Sequence, residues 1–237
     1  MASHFLHQVG RLKKDWAFWL PNLLAVASFG ILGIFGIIYR GVGGRVIITL
    51  FEESFAQKRP YQGVLTEASE ILWSLAAGIL WFTFSYLKAK HPSAAQSATQ
   101  YVQKSMLFLC LLVTMFLLDD NFRMTLMLSF YFKIPKVLIY GVYSICLTAY
   151  VLSFKKFILK TPYLLLVISI CLLSISSLTD VIHPQGQGLP VMLEDGTKFI
   201  GLLNFLIYCW KVSLLLIRDR QSALLEMASD RRVQTRP

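Results

Sequence analysis

Six times between Trp19 and Ile217 the chain runs for at least 17 residues with few side chains that are not apolar. The runs are Trp19–Tyr39, Thr66–Leu87, Val102–Leu118, Pro135–Phe154, Pro162–Leu178 and Thr197–Ile217. About 20 apolar residues in a helix cross roughly 30 Å of hydrocarbon, and inside it each backbone N–H and C=O must be bonded within its own segment or a closed barrel. None of the runs alternates with the period of two that a barrel strand needs. The expected class is therefore all-α, a polytopic transmembrane helix bundle of six spans in the lipid bilayer. Composition agrees, because only 15% of the 237 residues are charged, against about a quarter in ordinary globular domains. The third and fifth runs are short, at 17 residues, which places their polar ends inside protein rather than lipid.

Three segments follow from this pattern. Residues 1–18 are a short basic amphipathic lead, residues 19–220 hold the six spans, and residues 221–237 form a charged tail. The first run exceeds the roughly 7–15 apolar residues of a signal peptide and no small-residue cleavage site follows, so it reads as an anchor. Each of Cys110, Cys146, Cys171 and Cys209 sits within a different run, with no CxxC pair. That excludes a disulfide framework and leaves four small packing residues.

The formal charge of +10 is distributed for topology rather than for nucleic acid. With six spans both termini lie on one side, which carries 14 lysines and arginines, against eight on the other; Lys211 lies within the last run. The positive-inside rule then makes both termini cytoplasmic, with Arg40 and Arg45 pulling the other way. The acids divide in the opposite sense. Glu52, Glu53, Glu67, Glu70, Asp119, Asp120, Asp180, Glu194 and Asp195 fall on the outer side. Ionisable groups at membrane depth are costly and face a bundle interior or a wet cavity.

Helical spacing gathers several of these acids. Glu67 and Glu70 share a face that continues through Ser74 and Ala77; Ser169, Ser176, Asp180 and His183 share another. Glu194 and Lys198 are an i,i+4 pair, and Lys198, Gly201, Asn204 and Tyr208 extend a polar stripe into the membrane. Asp119 and Asp120 stand where a helix is finishing, and negative charge there opposes the helix dipole. Such a placement asks for Arg123, a cation or an ion pair with another span; the alternative is a simple exposed loop. Glu67 with Glu70, and Glu194 with Asp195, equally suit first helical turns, where acids complement the dipole. A lone His183 starting a solvent-facing loop is the plain alternative to a ligand.

Other segments have ordinary readings. Gly30, Gly33 and Gly36 form a small-residue ridge for another helix to approach. Val46–Phe55 suits a short interfacial helix, and Met124–Pro135 is either a lid along the outer interface or a connector. No internal repeat supports an inverted-repeat transporter, and no nucleotide loop, HExxH or triad signature appears.

The stretch LLDDNFRM followed by KIPKVLIYGVY, and LEDGTKFIG at the last span, resembles a set of bacterial multi-span membrane proteins without an assigned function. The resemblance covers Leu117 to Leu203 and implies an inner-membrane location. The resemblance implies a His-Glu pair where this chain has Thr125-Leu126, a departure that argues against inheriting a metal role. The aspartate pair also resembles that of the CREST hydrolases, such as alkaline ceramidases, which implies a membrane-embedded zinc site of acids, a serine and histidines. Here its elements are Asp120, Asp180 and His183 with Ser74 or Ser176, in six spans rather than seven.

Three functions follow. The leading expectation is an outward-facing acidic pocket of Asp119, Asp120, Glu67, Glu70, Asp180 and His183, with Lys198 holding Glu194. It would bind a cation, a proton or a cationic small molecule for transport or sensing, because clustered carboxylates repel until a proton or cation joins them. The second is the metal hydrolase just described. The third is a structural or assembly subunit whose glycine and aromatic faces meet partner helices.

Overall fold

The computed structural model describes residues 16–38, 50, 63–89, 96–182 and 189–234, and all regular structure among them is helical. In chain order the helices are α1 (Trp16–Ile38), α2 (Val64–Ala89), α3 (Gln96–Phe122), α4 (Met124–Phe132), α5 (Lys136–Ser153), α6 (Lys155–Ile158), α7 (Tyr163–Ile182) and α8 (Leu189–Gln234). Five of them, α2, α3, α5, α7 and α8, are long and apolar enough to cross a membrane, and α1 carries a shorter apolar stretch at Phe18–Ile34. The molecule is an all-α bundle and a multi-pass membrane protein.

The core follows from small residues and helical periodicity. On α8, Leu202, Phe205, Cys209, Val212 and Leu216 are buried at steps of three and four, with Tyr208 beside them, which is one helix face. That face makes α8 the hub, packed against α7, α2 and α1. Gly201 lets α7 come close, because a Cβ there would stand 3.1 Å from Leu173 and 3.2 Å from Leu172. Ala76 and Ala77 give α2 a similar flat face beside buried Trp73 and Leu80. Between lipid-solvated helices there is no hydrophobic drive to associate, so close packing and polar contacts carry the association. Asn22 of α1 and Asn204 of α8 supply one such contact: each amide donates to the other's oxygen, at 3.2 and 2.7 Å. A hydrogen bond from Trp81 to Thr114, at 2.9 Å, ties α2 to α3.

Helix α5 differs from the others. Only Ile139 and Tyr150 are buried on it, and it touches α3, α4, α6 and α7 sparsely. Its bounds are sharp: Lys133 adopts φ 56° before Pro135, and the helix ends at Phe154 with φ −112° and ψ 21°. Its C-terminal end is pinned by Tyr101 donating to the Ser153 carbonyl at 3.1 Å and by the Ser105–Tyr150 pair at 3.4 Å.

Several expectations change here. The last helix, α8, runs on through the charged tail segment as far as Gln234 and begins at Leu189, eight residues before the expected start. The glycine ridge is only partly a contact surface: a Cβ at Gly33 would meet Met192 of α8 at 3.1 Å, whereas at Gly30 it would meet nothing within 4 Å. The close approach at Gly33 is thus made inside the chain; the side of Gly36 lies outside the described residues. The lead up to residue 15, and the expected interfacial helix with Glu52 and Glu53, also lie outside them. Within the Met124–Pro135 stretch, Met124–Phe132 forms α4, whose Phe130, Tyr131 and Phe132 are exposed.

Candidate functional site

Helix direction alone brings the charged residues together. The C-terminal ends of α3 and α7 and the N-terminal ends of α5 and α8 lie at one end of the bundle, where they surround a cavity of ≈ 470 Å³. Asp119 and Asp120 reach it from α3, Asp180 from α7, and Glu194, Asp195 and Lys198 from α8. Trp73 and Phe116 form part of its inner wall, their ring centroids 5.8 Å apart.

The two aspartates at the end of α3 have separate partners. Asp119 accepts hydrogen bonds from the Thr125 backbone N–H at 2.7 Å and from the Thr125 hydroxyl at 2.8 Å. Thr125 is in the first turn of α4, so the carboxylate that opposes the α3 dipole sits at the favourable end of the next helix. Arg123, at φ 50°, makes the reversal between the two helices that permits this; partial burial lowers its guanidinium from the ordinary arginine value. Asp120 points to α8, where the Lys198 ammonium donates to its Oδ1. Its other oxygen, Oδ2, is buried without a hydrogen-bond partner.

A second ion pair spans α5 and α7. Lys136 donates to Asp180 Oδ1 at 2.7 Å, and the Tyr140 hydroxyl to Oδ2 at 2.8 Å. Lys136 and Tyr140 are one helical turn apart, so both reach the same carboxylate. The acids still outnumber the bases: five carboxylates line the cavity, with two lysines paired to them. Glu70 of α2 adds a sixth within electrostatic range of Asp120 and Lys198.

The expected site residues therefore divide. Asp119, Asp120, Asp180, Glu194 and Lys198 meet at the cavity, joined by Asp195. Glu70 stands close behind them, while Glu67 is exposed at the start of α2. His183 lies outside the described residues. Lys198 does not hold Glu194, since its hydrogen bond goes across the bundle to Asp120; a long side chain at the helix face reached the buried carboxylate of another span. The polar stripe below Lys198 is structural: Gly201 packs on α7, Asn204 pairs with Asn22, and Tyr208 lies 3.3 Å from the Thr161 hydroxyl. Lys136, Tyr140 and Tyr143 were not expected at the site. The one-turn spacing of Lys136 and Tyr140 at a span's start was the available signal.

A metal centre does not fit the described residues. Among them no three His, Cys, Asp or Glu side chains are grouped to hold a metal ion. Asp120 and Asp180 already face lysine ammonium groups. Ser176 is buried at the cavity, but Ser74 is exposed and its hydroxyl donates to the Glu70 carbonyl at 2.9 Å.

Residues 19–212 match the family described as a domain of unknown function (DUF8692). No curated protein and no solved structure matches the chain.

Proposed function

The chain belongs to the DUF8692 family, and on that premise we propose that it is a cation-binding membrane protein whose cavity opens toward the extracytoplasmic side. In this reading α1 is a sixth span, and both termini lie in the cytoplasm, on the side with the excess of lysine and arginine. The ligand is a cationic small molecule or a hydrated cation rather than a directly coordinated metal ion, since no three carboxylates among the described residues are grouped to hold one. It is taken up for transport or sensing.

The observation that carries the reading is the surplus of negative charge at the cavity. Two lysines face five lining carboxylates, and Asp120 keeps a buried oxygen without a partner. A buried acceptor left unpaired costs about 1–3 kcal/mol, more when charged. A cation entering the cavity supplies the missing partner and relieves the repulsion among its neighbours. Lys198 and Lys136 hold the site together in its absence, and Asp119 is tied to the α4 turn, so Asp120, Glu194 and Asp195 are the groups left to meet a ligand.

The test is thermal unfolding of detergent-purified protein titrated with alkali cations, alkaline-earth cations and tetramethylammonium. A ligand that binds only the folded state, present at roughly 100 times its Kd, stabilises by about 2.7 kcal/mol. The wild type should gain stability with at least one of these cations, and Asp120→Asn, measured at the same ionic strength, should lose that gain. A wild-type midpoint that is the same in every cation overturns the reading.

A further inference from the structure

The cavity is a slot rather than a bowl. Its wall on α5 runs from Val137 through Gly141 to Leu147, and on α7 from Ile170 through Ser174 to Val181. Val137, Tyr140, Ser144 and Leu147 on α5, and Ile170, Ser174, Ser177 and Val181 on α7, follow steps of three and four along one helix face. At 1.5 Å of rise per residue such a wall is about 15 Å long. That is half of a hydrocarbon core about 30 Å thick, the depth of one leaflet. All the carboxylates stand at one end, and the remainder of the wall is apolar or hydroxyl-bearing.

The slot is open along the gap between α5 and α7, which faces lipid in the proposed reading. Val137 on one rim is 60% exposed and Leu178 on the other 57%; Ser144 and Ser174 are exposed between them. Lys136 and Tyr140 bridge the rims at the charged end through Asp180. Below that bridge, α5 and α7 face each other across the open space. A ligand arriving sideways from the bilayer thus meets an apolar shaft first and the carboxylates at its outer end. At that end Trp73 and Phe116 line the cavity, and aromatic side chains attract quaternary ammonium groups.

A bare ion uses only the charged end of such a slot, and a neutral lipid only its shaft. We propose that the slot takes a single-chain membrane amphiphile with an amino or quaternary ammonium head. The head sits among Asp120, Glu194 and Asp195, and the chain lies along α5 and α7. A volume of ≈ 470 Å³ falls in the range of sites for one small molecule, which favours one chain over two. This inference rests on the cation-binding reading and narrows it.

The experiment compares three probes by thermal unfolding in a maltoside detergent: tetramethylammonium, a trimethylalkylammonium whose chain matches one leaflet, and the alcohol of the same chain. Anchoring in the apolar phase raises the head's effective concentration, so the alkylammonium should reach half-saturation at least about tenfold below tetramethylammonium. The alcohol should have no effect. Gly141→Leu provides the structural control, because a Cβ at Gly141 meets nothing within 4 Å and leucine suits a helix better than glycine. It should keep the tetramethylammonium response and abolish the advantage of the chain, while Asp120→Asn should remove both. Equal half-saturation of the two ammonium probes in the wild type, or a chain advantage that survives Gly141→Leu, overturns the amphiphile and leaves cation binding standing. Stabilisation by the alcohol equal to that by the alkylammonium overturns recognition of the head. No response to either ammonium probe, with an inorganic cation still active, removes the amphiphile alone; no response to any cation removes the underlying reading as well.

Discussion

The two ends of this bundle use polar side chains in opposite ways. At the end where α2, α5 and α6 finish, donors serve backbone carbonyls that the helices leave open. Gln103 donates to the Leu87 carbonyl at 2.9 Å, Arg220 to those of Leu87 and Tyr86, Tyr101 to that of Ser153, and Thr161 to that of Ile158 at 2.7 Å. The last carbonyls of a helix have no intrahelical partner, and basic groups there also complement the dipole. At the other end, side chains mostly bond to side chains across helices, and the carboxylates outnumber the lysines. One arrangement closes helices; the other keeps a charge imbalance beside an open slot. Asp119 is capped by the α4 turn; for the remaining acids, the proposed cation is the physical complement.

The largest test of that contrast is Lys198→Met. It leaves Asp120 facing Glu70 and Asp195 with its ion pair gone, and removing one partner of a buried pair costs about 3–5 kcal/mol. Unfolding in detergent should show a loss of that size, with Asp120→Asn in the same chain recovering most of it. At the opposite end Arg220→Met removes the donor to the Tyr86 carbonyl, one of two donors to the Leu87 carbonyl, and the guanidinium 5.5 Å from the Tyr86 ring centroid. A loss of about 1–3 kcal/mol by the same measurement is expected, with no change in the response to cations. If Arg220→Met altered that response, the two ends would not be independent.

Between the ends, a double-mutant cycle on Asn22→Leu and Asn204→Leu should return a coupling of about 0.6–1.7 kcal/mol, the range for polar contacts between membrane helices. The smallest effect belongs to the glycines. Gly30→Ala, with open space around it, should stabilise α1 by up to about 0.5–1 kcal/mol. Gly33→Ala must displace the Met192 methyl and should gain nothing in the same unfolding assay.

The spans were legible because burial in lipid demands long uninterrupted apolar runs, and the described helices cover Thr66–Leu87, Val102–Leu118 and Pro162–Leu178 within a few residues of either end. The gathering of Asp119, Asp120, Asp180 and Glu194 was legible too, since alternating helix direction puts those positions at one level. What spacing along the chain does not encode is which long side chain crosses to which helix. Lys198 was read with Glu194 because they share a face, yet Asp120 lies 78 positions away in sequence and closer in space. Asn204 was read as part of a polar stripe running into the membrane, and nothing in its spacing announces its partner, Asn22, a single polar residue in another apolar run. The Asp119 placement looked unfavourable because the turn that starts α4 depends on a left-handed Arg123, a backbone state no residue type there announces.

The position of α8 has a consequence for how the molecule is made. This helix leaves the ribosome after every helix it packs against, so until it inserts, Asn22, Asp120 and the flat face of α2 wait in the membrane without the surface that completes them. Early segments can enter the bilayer on hydropathy alone. Their arrangement into a closed protein is decided late, by the arrival of one helix.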